Sequence, residues 1–351
     1  MSQRKYDIPI AIFSLALLVL FVVSFLLGRY PIHPMELGGM LLDSFLHLVE
    51  RFVSVFHLQA DLGIEPFWDP QTSAVFFSIR LPRVLLACLV GCCISTAGAA
   101  YQGVFQNPMA APDILGASSG AAFGAALAIL LGAASWGITG MAFVFSLVTV
   151  LLAMLVSRFA RGSRVMTLIL AGIMVSSLFS SGTSYIKLVA DPNDQLPQIT
   201  YWLMGSLTEA KLPDVGFACI PMLIGLVPLV LLRWRINILT LGDEEAASMG
   251  VDTRLVRTVV ILCSTLVTAA SVSVSGMIGW VGLVIPHLAR RIVGNNYMKL
   301  LPLTMILGAL FLLGVDDISR SLMAKEIPLG ILTSLVGAPF FLYLLTRKEG
   351  F

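Results

Sequence analysis

Asp, Glu, Lys and Arg fall along this chain in clusters, and between them lie eight long uncharged runs: 8–28, 84–112, 114–157, 165–186, 215–232, 258–289, 300–315 and 327–346. A hydrocarbon core about 30 Å thick takes roughly 20 helical residues, and a charge at its centre costs at least about 2.5 kcal/mol, so uncharged runs locate spans. The 44-residue run 114–157 fits two spans reversing near 132–137. The 32-residue run 258–289 is too short for two full crossings and too long for one. Arg254 and Arg257 stand before it, Arg290 and Arg291 after it. Basic residues concentrate on the cytoplasmic side, so both ends belong there. One full helix going out and a short, broken segment coming back satisfies this, with Gly276, Gly279, Gly282 and Pro286 supplying the break. The pattern predicts an all-α polytopic membrane protein of about ten transmembrane helices, with a short broken eighth helix and both termini cytoplasmic.

The remaining charges agree with that topology. It places fourteen Lys/Arg and seven acids inside, and eight Lys/Arg and thirteen acids outside. The net charge is then +7 within and −5 without, which closes on the observed +2. Arg4 and Lys5 precede the first run as they would in a signal peptide, but its 21 uncharged residues are long enough to span, so it reads as the first helix.

Composition sharpens the class. With 58% apolar and 12% charged residues, the chain has too little charge to coat a water-facing surface. Disorder, nucleic-acid binding and a disulfide scaffold are excluded. All five cysteines lie in apolar runs; Cys88 and Cys92 are spaced i,i+4, but no His or acid lies nearby, so they read as packing rather than a metal site. The spans carry no ionisable side chain near their middles, where a proton-coupled carrier keeps its relay. No phosphate-cradling G-x-x-x-x-G-K-[ST] loop is present either. Active transport would therefore draw its energy from another polypeptide, and no cofactor or resident metal is expected.

Three local patterns stand out. Gly116, Gly120 and Gly124 form a small-residue stripe suited to close helix packing, with pathway lining as the other reading. Within the long outer loop, 29–79, apolar residues recur at helical spacing over 36–58, an amphipathic helix on the outer interface. His33, His47 and His57 lie there as commonplace exposed histidines, with a metal or haem role as the minor reading. In the inner region 238–252, Thr240 is placed as N-cap and Asp243 as its capping-box partner, Glu244 and Glu245 suit the positive end of the dipole, and Gly250 ends a helix of about nine residues.

Several motifs occur in register: Arg80-Leu-Pro-Arg83, Gly98-Ala-Ala-Tyr-Gln-Gly103, Asn107-Pro-Met-Ala-Ala-Pro-Asp-Ile-Leu-Gly116, the segment 242–250, the Gly276–Arg290 stretch, and 328–339. Together they resemble the FecCD-type permeases, the membrane subunits of ABC importers for iron chelates, haem and cobalamin. The resemblance runs from about residue 80 to the C-terminus. It implies a type II ABC importer permease fold occupying the whole chain, 1–351, as one permease domain in a prokaryotic inner membrane. The partners it implies are a second permease subunit in a homo- or heterodimer, two cytoplasmic ATPase subunits, an extracytoplasmic substrate-binding protein and membrane lipid.

By the same resemblance, Gly242, Asp243, Glu244, Glu245, Ala246, Met249 and Gly250 form the coupling helix held by the ATPase. Arg80, Arg83 and Arg320 meet acidic residues of the binding protein, since the guanidinium fork takes a carboxylate through two hydrogen bonds; interfacial anchoring by snorkelling is the alternative. Asn107 and Met109 match an inner gate, or an ordinary Asn-Pro turn. Ser176, Ser177, Ser180, Thr183, Thr333 and Ser334 are pathway candidates unless their hydroxyls bond back to their own helices. The expected cargo is a metal chelate, ferric siderophore first, with haem, cobalamin and oxyanions such as molybdate open. A stand-alone secondary carrier or channel is the competing function. One departure from the family is the outer loop, longer than the resemblance implies.

Overall fold

The computed structural model describes residues 4–54, 65–162, 164–323 and 325–346. His57 and the end of the proposed amphipathic segment lie outside them. The described residues are mostly helical, with no strand among them.

The first apolar run forms α1 (Arg4–Leu26), and the amphipathic segment forms α2 (Pro34–Ser54). The second helix starts earlier than the charge gap indicates. Asp69 caps α3 (Pro70–Val75) by accepting from the Gln71 amide, and a single π turn (Phe76–Arg80) leads straight into α4 (Leu81–Val104). Then come α5 (Ala117–Leu130), α6 (Ser135–Phe159) and α7 (Arg164–Val189). A short helix not foreseen from the sequence, α8 (Gln195–Leu203), precedes α9 (Leu212–Leu231). Two short helices, α10 (Arg233–Leu239) and α11 (Asp243–Ser248), lead to α12 (Thr253–Ser275). The chain closes with α13 (Val281–Val293), α14 (Tyr297–Leu322) and α15 (Leu329–Thr346).

Seven of these elements are long and apolar enough to cross a membrane. The shorter α5, α13 and α15 complete the ten crossings read from the charges. The broken return lies where expected: α12 ends at Gly276, whose φ of 66° suits a residue without Cβ, and Trp280 takes φ 69° just before the 13-residue α13.

Helix α4 is the hub, packed against α12, α13, α14 and α9. Its glycines permit this. A Cβ on Gly98 would run into the backbone carbonyl of Gly282 in α13, and one on Gly91 into that of Gly308 in α14. The stripe on α5 has the same purpose, since a Cβ on Gly120 or Gly124 would strike the carbonyl of Phe145 or Met141 in α6. Close backbone approach replaces the hydrophobic drive that lipid cannot supply between helices.

Candidate functional site

At one end of the bundle, α10 lies against the end of α4 and the start of α14, and α11 against α12. Gln106 donates to the Leu239 carbonyl at 2.7 Å, and Asn237 accepts from the Tyr297 amide at 3.1 Å. The capping box expected at Thr240 is not formed. The Thr240 hydroxyl instead donates to the Asn237 carbonyl at 2.7 Å, closing α10, and Gly242 with φ 126° separates α10 from α11. The inner helix is thus six residues rather than nine, because Gly242 resets the backbone direction. Asp243 has a different partner: its carboxylate takes a two-pronged ion pair from Arg257 of α12 at 2.7 and 3.2 Å. The hydrogen bond from Arg257 holds the Asp243 carboxyl below its ordinary range. Ala246 is fully buried, while Glu244, Glu245 and Met249 face out and Gly250 ends the turn. The short helix is rooted on one side and bare on the other.

Nearby, Gly98–Gly103 and the Pro-His-Leu-Ala-Arg segment meet. Arg290 donates to Gln102 at 2.5 Å and to the Tyr297 hydroxyl at 3.1 Å, and that hydroxyl donates to the Ala99 carbonyl. Helices α4, α13 and α14 are tied at a single point. No local spacing announces this contact, because its members are up to 198 residues apart. Between α4 and α5, Asn107 accepts from the Met109 amide at 2.9 Å, which turns the chain and leaves Met109 45% exposed.

The pathway candidates separate by exposure. Ser176 and Thr183 bond back to the carbonyls of Gly172 and Phe179, and Thr333 and Ser334 both bond back to Gly330. Thr183 and Thr333 are buried, whereas Ser177 and Ser180 lie on an exposed face of α7.

At the opposite end, Arg80, Arg83 and Arg320 come together as the sequence suggests, but they point inward. Each is no more than 6% exposed. Arg80 donates to the carbonyls of Phe25 and Tyr30, capping the end of α1. Arg320 bonds Asp317 and both the hydroxyl and carbonyl of Ser24. Arg83 grips Asp316, which is fully buried, at 2.9 to 3.0 Å, and reaches Glu326 at 2.8 Å. Glu326 also accepts from Thr208 at 2.8 Å. Burial alone would raise the Glu326 pKa, but Arg83 and Thr208 bring it below the usual carboxylate value. Arg83 and Arg320 are thus paired with three carboxylates, beside an Arg80 held by backbone carbonyls, and only Arg320 Nε and Asp317 Oδ2 lack a hydrogen bond among the buried atoms described there. Arg80 and Arg83 have both terminal nitrogens engaged, Arg320 is engaged through one of them, and all three are buried rather than snorkelling. Beside the network, a groove of about 880 Å³ is lined by Tyr201, Met204, Glu209, Lys325 and Glu326.

A family model for the FecCD transport family matches residues 15–347. The molybdate import system permease protein MolB of Haemophilus influenzae is 38% identical over 95% of this chain and 94% of its own length. A probable iron chelatin transport system permease protein of Helicobacter pylori is 42% identical over 79% of this chain and 84% of its own. A solved structure, an inward-facing conformation of a metal-chelate-type ABC transporter, superposes with TM-score 0.82 at 36% identity, covering 96% of this chain and 98% of that one. The helical bundle is the fold of that solved transporter, and the chain belongs to the FecCD transport family, as an ABC permease subunit.

Proposed function

We propose that this chain is the conduit of a binding-protein-dependent importer, worked by ATPase subunits that grip α11. The observation that carries this reading is the construction of α11. Glu244, Glu245 and Met249 stand exposed, while Ala246 and the Asp243–Arg257 pair fasten the same helix to α12. A push on the bare face is thereby passed to a spanning helix whose far end borders the Gly276–Trp280 break. Two such permease subunits, each a single domain with both termini cytoplasmic, would enclose the path. Closure of two ATPases would switch it between outward-open and inward-open states. The Met109 loop would form the inner gate, and the exposed hydroxyls of α7 a weakly binding wall.

The binding protein docks, in this reading, at the arginine end. Engagement of Arg83 or Arg320 by its carboxylates is an exchange against Asp316, Asp317 and Glu326, and engagement of Arg80 one against the carbonyls of Phe25 and Tyr30. The cargo is a metal chelate, ferric siderophore first, supported by the chelate-transporter relatives; molybdate is the second reading, because a molybdate permease is also 38% identical over 95% of the chain. Metal analysis and the absorption spectrum of the loaded cognate binding protein separate the two. Coupling is tested by Glu244→Lys with Glu245→Lys, which should abolish ATP-dependent uptake while ATPase turnover and membrane insertion persist. Normal uptake by that variant would remove α11 from the mechanism.

A further inference from the structure

A cavity of about 360 Å³ opens at the α11 end, between the end of α6, the start of α7 and the start of α12. Arg158, Arg254 and Arg257 line it, and among the described residues no acidic side chain does. Arg257 is only 8% exposed. Its two terminal nitrogens are spent on Asp243, but its buried Nε–H has no partner among the described residues. A buried donor without an acceptor carries a desolvation cost that an anion in the cavity would relieve. The membrane-ward wall is different in kind, formed by Met154, Leu168 and Ile261. The helices that build the cavity also expose Leu155, Phe159 and Leu255, at 49%, 82% and 57%.

We propose that this cavity is a binding site for the phosphate headgroup of an anionic phospholipid. Arg158 and Arg254 supply the charge and bidentate forks that phosphate accepts, and Arg257 adds its unpartnered Nε–H. Basic pockets between spanning helices at the cytoplasmic face hold anionic headgroups for this reason. A free phosphate has the same headgroup chemistry; the apolar wall and exposed apolar rim favour the lipid, whose acyl chains would cover them. Because Arg257 holds both the cavity and Asp243, an occupied site also fixes the fork that anchors α11 to α12. The binding claim stands on the cavity alone and does not depend on α11 meeting an ATPase.

Native mass spectrometry of the delipidated full chain tests it, with dioleoylphosphatidylglycerol, dioleoylphosphatidylcholine and inorganic phosphate as probes. Arg158 and Arg254 are exposed, so Arg158→Gln with Arg254→Gln spares the fold and leaves the Arg257–Asp243 pair in place. The wild-type chain should retain the anionic lipid over the zwitterionic one. The double variant should bind the anionic lipid about 25-fold more weakly, roughly fivefold per arginine, with the zwitterionic lipid unaffected. Arg158→Lys with Arg254→Lys should keep most of the preference. Equal retention of the two lipids, or unchanged anionic-lipid binding in the Gln variant, would overturn the proposal. So would inorganic phosphate binding as tightly as the lipid, which would make the site one for a soluble anion. Loss of assembly with ATPase subunits in lipid-free detergent, with lipid retention unchanged, would reassign the cavity to a protein contact.

Discussion

Asp316→Asn removes the buried charge that Arg83 grips and Arg320 faces. The Asp316 carboxylate is fully buried, lies 2.9 to 3.0 Å from the Arg83 guanidinium, and stands 3.9 Å from Arg320. Three cations and three anions become three and two, so one positive charge is stranded away from water. Breaking a buried pair by removing one partner costs about 3–5 kcal/mol, a shift of roughly two to nearly four powers of ten in the folding equilibrium. Arg83→Met should cost a similar amount, leaving Asp316 facing only Arg320. In the double variant Arg83→Met with Asp316→Met, the Arg320–Asp317 pair stays balanced, and Glu326, whose side chain is 23% exposed, can turn to water. The double loss should therefore fall short of the sum of the single losses by about 2 kcal/mol. Reversible unfolding in mixed micelles measures the cycle. Additivity within about 0.5 kcal/mol would mean that Arg83 and Asp316 do not support each other and that the network stores no stability.

Three other outcomes follow from local geometry. Gly120→Leu should sharply lower the yield of folded chain, since its side chain would have to displace the α6 backbone, a cost of at least about 1–3 kcal/mol. Gly140→Ala, on the same α6 but with no atom within 4 Å of its Cβ position, should be neutral or stabilising by up to about 1 kcal/mol; equal effects of the two would discredit the close-packing reading. The Asp243–Arg257 pair sets a pH dependence. A carboxyl with a depressed folded pKa gives support that is complete above its ordinary value of 3.8 and is lost as pH falls through the lower folded value. Protease protection of the α10–α11 segment should then be flat across neutral pH and decline only in strong acid. Asp243→Asn should be less protected with that acid step gone, and an unaltered step would assign it to another group.

Much of the architecture was readable because a single penalty, charge in hydrocarbon, dominates it. The gaps gave the spans, and the basic ends of 258–289 gave the broken return at Gly276–Trp280. The same rule failed where proteins circumvent it. The run 300–315 ends at Asp316, yet α14 continues to Leu322 because Arg83 and Arg320 neutralise the two aspartates inside the bundle. Arg83 lies 233 residues from Asp316, and Ser24 lies 296 from Arg320, distances over which a sequence carries no visible pairing. Position alone put the three arginines at a surface; only tertiary contact reveals them as buried. Thr240 was misplaced for a local reason, since two glycine-free turns on either side of Gly242 look continuous until its positive φ is known. The hydroxyls of α7 and α15 divide by helix rotation, which their polarity does not encode.

Reconstitution into sealed vesicles tests the conduit claim most directly, by following solute uptake with the chain alone and with its ATPase subunits and loaded binding protein added. A chain without an engine of its own should move nothing until the ATPases and ATP are present, and Glu244→Lys with Glu245→Lys should silence the complete system. Sustained turnover of solute by the chain alone would contradict it.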